Sequence, residues 1–393
     1  FSNQLEALVV EWRRYLHMYP EIRWEENETL AYIRRQLELN LAAIEPSPFI
    51  FSEMTGGLVV DLIIPGKTEM VLFRADVDAL AVSEQTGLPY TSKVPGKMHA
   101  CGHDMHSAML MGAIVGISRA MQVGYIPTHN IRFVFQRAEE NPVTESGGAS
   151  LVKGGVLEGV KEAYGLHVWA TGEAGTFLSR SGVTLGNSDR MKIEIKTTGG
   201  HVAMANEGVN AIDVVSSILN GLSGFGGRFL GDTEPVSIHP TIVNSGTASN
   251  VRPANAEMWY SARNFLGPDK RKAFHEALKA RVCAIARVYP DPNLKVNVTI
   301  INGHPTLQNT APEYEKTKLM LDNAGFKTIG IEPQLGGEDF AWYLKLQGGV
   351  PGVMWMIGAN QEGCGGHHAP TFNPSESVLK DGVHFWLLLA YGE

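Results

Sequence analysis

Apolar residues open the chain at helical spacing, with Leu5, Leu8, Val9, Trp12, Tyr15 and Leu16 behind a Ser2 cap and a second periodic stretch from about Thr29 to Leu39. Two amphipathic helices are predicted there. The pattern then changes to short, nearly continuous apolar runs: Leu58 to Ile64, Met70 to Phe73, Ile131 to Phe135, Ala163 to Leu166 and, much later, Val350 to Ile357. Runs of this length bounded by polar residues read as strands buried on both faces. Helical patterns at His106 to Met121 and Tyr314 to Ala324 lie between some of them. Strands alternating with helices predict an α/β domain with a mixed, largely parallel sheet flanked by helices.

The middle of the chain has another order. It reads as a strand at Lys192 to Thr197, a helix at Asn210 to Leu222, strands near Val236 to Val243 and Ala256 to Asn264, a helix at Lys270 to Val288 and a strand at Lys295 to Ile301. That is β-α-β-β-α-β, the split ferredoxin-like unit. Residues 1–185 and 303–393 are therefore expected to build one domain, with 186–302 inserted as an α+β domain. A chain of 393 residues is long enough for two cores.

Composition removes several classes of function. With 44% apolar and 19% charged residues, and no run approaching the ~20 apolar residues needed to cross a bilayer, a membrane role is not expected. A formal charge of -8, with 33 Lys and Arg that form no cluster, leaves no footprint for nucleic acid. Three cysteines, Cys101, Cys283 and Cys364, are an odd and sparse set that argues for a reducing, cytoplasmic compartment. A leader cleaved before Phe1 is also compatible with the sequence.

Several apolar strands run directly into groups able to hold or support a cation, and in open α/β sheets ligands bind beyond the carboxyl ends of the strands. Arg74-Ala75-Asp76-Val77-Asp78 sets two carboxylates on alternate positions of an extended chain, hence on one side. His99-Ala100-Cys101-Gly102-His103-Asp104-Met105-His106 concentrates a thiol, imidazoles and a carboxylate around a glycine, a set suited to a borderline-soft divalent metal. After Phe135 come Glu139 and Glu140, whose opposite directions on an extended chain let one bind metal while the other faces a cavity. The run through Leu166 delivers His167 and Trp169, and a Gly-rich loop precedes His367-His368. Cys101, His103, Glu140, His167 and a histidine of that last pair exceed one tetrahedral site and suit two metals. A metal pair can lower the pKa of a bound water toward ~7, and Glu139 would take that water's proton and deliver it to a leaving nitrogen.

These residues resemble the M20 metallopeptidase family, in its aminoacylase, hippurate hydrolase and auxin-conjugate amidohydrolase branch. The resemblance runs through Leu16-His17 with Pro20-Glu21, Arg74 to Leu80, Thr86 to Tyr90, Met98 to His106, Ala138-Glu139-Glu140, Gly165 to Trp169, Gly199-Gly200-His201, Asn250-Val251-Arg252-Pro253 and Gly337 to Phe340. It implies metal ligands at Cys101, His103, Glu140, His167 and His368, the last because the family pattern reads His, any residue, Pro. It implies Glu139 as general base, Asp78 as an orienting group, His201 as a donor to the oxyanion, and Asn250 and Arg263 as holders of the substrate carboxylate. Asp76 stands where other branches have a metal-binding histidine. The implied cofactor is a pair of divalent ions, zinc or manganese, with cobalt or nickel as further options. The inserted domain is implied to act as a lid and to carry a homodimer contact.

Arg137 stands where the family usually has Pro, Met105 where it usually has Gly, and Asn141 to Ser150 replaces a short Gly-rich loop. All three bear on the acyl pocket and not on the metal chemistry; Cys364 receives no role. The expected reaction is metal-dependent hydrolysis of the amide bond of N-acyl amino acids. A dipeptidase or carboxypeptidase of the same fold is the alternative, with an inactive metal-containing binding protein and a two-metal phosphoesterase as readings from other classes.

Overall fold

The computed structural model describes residues 2–41, 46–141, 145–231 and 234–392. In chain order the elements are α1 Asn3–Met18, α2 Asn27–Leu41, β1 Phe49–Met54, β2 Gly57–Leu62, β3 Met70–Asp76, α3 His103–Gln122, β4 Asn130–Gln136, α4 Gly147–Lys153, β5 Val160–Trp169, β6 Thr176–Ser179 and β7 Gly182–Leu185. Next come β8 Asn187–Lys196, β9 Gly200–His201, α5 Ala211–Leu222, α6 Phe225–Leu230, β10 Val236–Ser245, β11 Val251–Arg252, β12 Asn255–Asn264, α7 Pro268–Ala286 and β13 Lys295–Ile301. The chain closes with β14 Leu307–Asn309, α8 Ala311–Asn323, β15 Lys327–Gly330, β16 Gly352–Gly358 and α9 Leu379–Tyr391.

These elements form two compact units, one of residues 185–307 with 333–338 and one of the remainder. The larger unit holds a sheet in the order β1-β2-β4-β3-β5-β16-β6-β15. Its centre, β4-β3-β5-β16, is parallel throughout, whereas β1, β2 and the β16-β6 pair are antiparallel. The mixed, largely parallel sheet is as the alternating pattern predicts. The apolar runs lie in the middle strands because both faces of those strands are covered, and β16 is buried at every residue. The elements that the sequence pattern did not mark include β1 and α9. β1 alternates only partly and sits at the sheet edge, and α9 (LKDGVHFWLLLAY) is apolar on nearly every side.

α1 begins where expected, the Ser2 side chain accepting a hydrogen bond from the Leu5 N–H. It packs on α3, which in turn packs on α9, and these contacts are close because small residues sit at the crossings. A Cβ on Gly112 would lie 2.6 Å from Val9 Cγ2, and one on Gly382 would lie 1.9 Å from Met109 Sδ. Trp12, Phe73, Phe133 and Trp386 fill the core around them.

The smaller unit holds an antiparallel sheet in the order β10-β12-β8-β13, the strand order of a split ferredoxin-like unit. Along β12 buried and half-exposed residues alternate, so one face packs against α5 and α7 through Met258, Tyr260, Val214, Ile218, Phe274 and Leu278. The unit extends past the joint read near Gly303. Gly303 N–H donates to Asp189 Oδ1 at 3.2 Å and His304 N–H to Ser188 Oγ at 3.0 Å. Gly186 N–H donates to Gln334 O at 2.9 Å, which ties 333–338 to the same body. Among the described residues no helix is long and apolar enough to cross a membrane.

The α3–α9 crossing gives a direct stability test. Gly382→Ala forces a methyl group into the Met109 thioether and should lower unfolding stability by about 1–3 kcal/mol in urea titration. An unchanged midpoint would contradict the close packing of these helices.

Candidate metal centre

Neighbouring strands β4, β3, β5 and β16 point the same way, so the segments that leave their carboxyl ends collect at one end of the larger unit. β3 delivers Asp76 and, just beyond it, Asp78. β4 leads to Glu139 and Glu140, β5 carries His167 near its end, and the loop after β16 carries His367 and His368. Cys101 and His103 flank Gly102 at the start of α3. Gly102 is required there: its φ is 95°, and a Cβ would lie 3.3 Å from Val168 Cβ. Asp104, next to His103, is fastened to α1 by Arg13 Nε at 3.1 Å and His17 Nδ1 at 2.7 Å.

Two further positions beside the candidate ligands carry backbone strain. Ala138, just before the paired glutamates, has φ 50° and His368 has φ 66°, a region that costs a non-glycine residue of order 1 kcal/mol or more. Each is held by a specific bond. Ala138 N–H donates to the buried Glu26 Oε1 at 2.8 Å, and His368 N–H donates to Ala100 O at 2.8 Å.

The thiol, imidazole and carboxylate atoms form overlapping groups with all donor atoms within 4.8 Å: Cys101, His103 and His167; Cys101, Glu140 and His368; and His103, Glu139 and Glu140. Hydrogen bonds decide which ring nitrogens keep a lone pair for a cation. His103 Nδ1 lies 3.2 Å from Asp78 Oδ1, so it carries the hydrogen and its buried Nε2, which has no hydrogen bond, offers the lone pair. His167 Nδ1 lies 2.6 Å from Val168 O, leaving Nε2 toward Cys101 Sγ at 3.6 Å. His106 is committed on both sides, Nδ1 to Asp76 Oδ1 at 2.6 Å and Nε2 to the Val168 N–H at 2.8 Å. His367 Nε2 accepts the Ala170 N–H at 3.1 Å, so its Nδ1–H points at Cys101 Sγ, 3.7 Å away, as a donor to the sulfur. His368 Nε2 approaches Glu140 Oε1 to 3.0 Å.

These donors fit divalent metal ions. The 3.6 Å between Cys101 Sγ and His167 Nε2 matches the roughly 3.5 Å edge that follows from Zn–S of ~2.3 Å and Zn–N of ~2.0 Å at a tetrahedral angle. Asp78 accepts from the His103 ring and, through Oδ2, from the Glu140 N–H at 2.9 Å, so one carboxylate orients two donors. Asp76 bonds Arg74 and His106 at 2.6 Å each.

Electrostatics supports the same reading. Burial raises the Cys101 thiol well above its ordinary pKa, and Glu140, Glu139 and Asp76 push it further. For His103 burial opposes the proton, yet Asp76, Asp78 and Glu140 outweigh it and raise the imidazole to about 10. Burial keeps His167 neutral, as does the proximity of His106 and His367, and holds His367 down at about 4. The surroundings of Cys101 and His103 thus demand positive charge while the ring of His167 stays a neutral donor.

All five ligand candidates, with Glu139 and Asp78, therefore converge in the larger unit. His201, Asn250 and Arg263 belong to the smaller one. There His201 pairs with Val251 across the β9-β11 ribbon, the Asn250 carbonyl accepts the Val202 N–H at 3.2 Å, and the half-buried Arg263 donates to Leu335 O at 3.4 Å. Arg137 bonds Asn27 Oδ1 at 2.9 Å. Of the Asn141 to Ser150 segment, 142–144 lie outside the described residues, and Ser146 caps α4. Sequence reasoning left Glu26, His106 and His367 without roles. A histidine in the 99–106 cluster and another beside His368 were visible signals, but Glu26 had none, since its partner lies 112 positions away.

Comparison with known proteins follows the same line. The model of Peptidase family M20/M25/M40 matches residues 72–391. The N-acetylcysteine deacetylase of Bacillus subtilis is 32% identical over 386 residues, covering 97% of this chain and 96% of that protein. The thermostable carboxypeptidase 1 of Saccharolobus solfataricus is 31% identical over 392 residues, covering 99% and 96%. Among solved structures, a dinuclear metal binding peptidase of the M20 family from Bacillus subtilis matches with a TM-score of 0.81 at 28% identity, over 99% of this chain and 98% of that one. On its sequence, its fold and its donor set, this chain belongs to peptidase family M20/M25/M40 and is a hydrolase.

Proposed function

We propose that this enzyme hydrolyses the amide bond of N-acyl amino acids, using two divalent ions held by Cys101, His103, Glu140, His167 and His368. The observation that carries the reading is the pair of donor groups that share Cys101, one completed by His103 and His167 and the other by Glu140 and His368. A thiolate favours zinc, and the carboxylate and imidazole donors also accept manganese. When bound, the ions supply an acidified water and polarise the scissile carbonyl.

The chain's own residues do the rest. Glu139, buried beside the ligand Glu140, takes a proton from water and passes it to the departing amine. Asp78 keeps His103 and the Glu140 backbone in place for it. In the smaller unit, His201 Nδ1 accepts the Ala203 N–H at 3.1 Å. That bond leaves Nε2 to carry the hydrogen that donates to a developing oxyanion. Asn250 and the guanidinium of Arg263 take the substrate carboxylate; burial and Arg190 lower the Arg263 pKa from its ordinary value, and an arginine remains charged through such a shift.

The 31% identity to a carboxypeptidase over nearly the whole chain favours peptides as a second substrate class for the same site. We also read the chain as cytoplasmic, since its three cysteines are free thiols, and as a homodimer through the smaller unit. β10 is a free sheet edge exposing Ile242 and Val243, and a sedimentation mass of one chain would refute pairing through it.

Three outcomes are expected. A panel of N-acetyl, N-benzoyl and indoleacetyl amino acids with simple dipeptides should release free amino acid in a chelator-sensitive way, and release from dipeptides alone would transfer the assignment to the peptidase reading. Glu139→Gln should keep both metal ions by elemental analysis while kcat falls ~10²–10⁴-fold; normal turnover would remove Glu139 as the base. Metal uptake should release protons. His103 at about 10 in the metal-free protein stands above its ordinary ~6.5, so its proton stabilises the metal-free fold fully below that ordinary value and is lost as pH rises through about 10. Cations must displace it together with the Cys101 thiol proton. Affinity should thus climb between pH 6 and 8 by up to about two powers of ten per pH unit, and a pH-independent affinity would contradict this donor set.

A further inference from the structure

Residues 201–207 are all exposed, so burial of apolar surface does little to order the segment that carries His201. Beyond the pairing of His201 with Val251 and the Val202 N–H bond to Asn250 O, its 204–208 carbonyls are gathered by one side chain. Arg252 lies opposite Gly200 in the β9-β11 ribbon, and its guanidinium faces backbone carbonyls. Nη1 donates to Gly208 O at 3.0 Å and to Ala205 O at 3.3 Å, while Nη2 donates to Met204 O at 2.6 Å and also to Glu207 O. The segment folds around this fork, with Met204 N–H returning to His201 O at 2.9 Å and Glu207 N–H to Met204 O at 3.0 Å. Gly200 makes room for it: its φ is 134°, and a Cβ there would lie 3.0 Å from Arg252 Nη2.

We propose that Arg252 is a positioning residue for His201. By gathering the carbonyls of the 204–208 loop it sets the backbone on which Ala203 N–H meets His201 Nδ1, and so leaves the Nε2–H as the donor. A planar fork with donors in fixed directions is needed for this, and an ammonium reaches fewer acceptors. The inference rests on the reading of His201 as the oxyanion donor and adds the group that sets its tautomer and direction.

The test is a double-mutant cycle with hydrogen exchange. Arg252→Ala should speed amide exchange in 199–208 with the rest of the smaller unit still protected. It should also lower kcat ~10- to 100-fold with little change in KM, below the ~10²–10³-fold loss expected for His201→Ala. Arg252→Lys should fall between wild type and Arg252→Ala. In the His201→Ala background, Arg252→Ala should cost less than about twofold more, because both changes remove one function. Full kcat in Arg252→Ala beside a depressed His201→Ala, or an undiminished Arg252 effect in that background, would overturn the inference alone. Full kcat in His201→Ala would overturn the oxyanion reading and this inference with it.

Discussion

Ionised carboxylates cost several kcal/mol each to bury, and the larger unit buries Asp76, Asp78, Asp104 and Glu139 at the carboxyl ends of its parallel strands. Much of the local architecture answers that cost. Asp76 is flanked by Arg74 and His106, and Asp104 by Arg13 and His17. Arg74, itself buried, reaches Asp339 at 2.6 Å and Gln136 at 3.0 Å, which ties β3 and β4 to the segment before β16. Once these pairs are formed, Cys101, Glu140 and the unbonded Nε2 of His103 remain turned toward one another. Their balance is a cation, and the hydrogen bonds behind them keep that need directional.

The segments that carry the candidate ligands stood out in sequence for two reasons: those of Glu140, His167 and His368 follow continuous apolar runs that read as inner strands, and a thiol and imidazoles are crowded into the eight positions from His99 to His106. The inserted unit was legible in its element order. Its ends were not, since whether Gly303 or Gln334 belongs to it is set by hydrogen bonds to Asp189 and Gly186, far away in sequence. The same limit explains the histidines. His367 and His368 are adjacent, and what distinguishes them is the Ala170 N–H that His367 Nε2 accepts, a main-chain partner that sequence does not show. Glu26 and Arg252 received no role from the sequence for a related reason: both bond main-chain atoms, the Ala138 N–H and carbonyls of the 204–208 loop, and main chain carries no residue-type signal.

The departures from the family pattern now have physical content. Arg137, in place of a proline that would fix its own φ, instead bonds Asn27 and lies 3.8 Å from Glu26 Oε2, beside the carboxylate that holds Ala138 in its strained conformation. The turn that presents Glu139 and Glu140 is thus secured by side chains of the α2 start. Met105 is fully buried in the α1–α3 core, which makes it part of the packing under the site.

The most direct measurement is anomalous diffraction from crystals of the wild-type protein grown with zinc or manganese, collected above and below the metal's absorption edge. Two separate peaks that share Cys101 as a neighbour, one beside His103 and His167 and the other beside Glu140 and His368, are the predicted result. A single peak, or two peaks neither of which adjoins Cys101, would contradict a paired centre built on that thiolate.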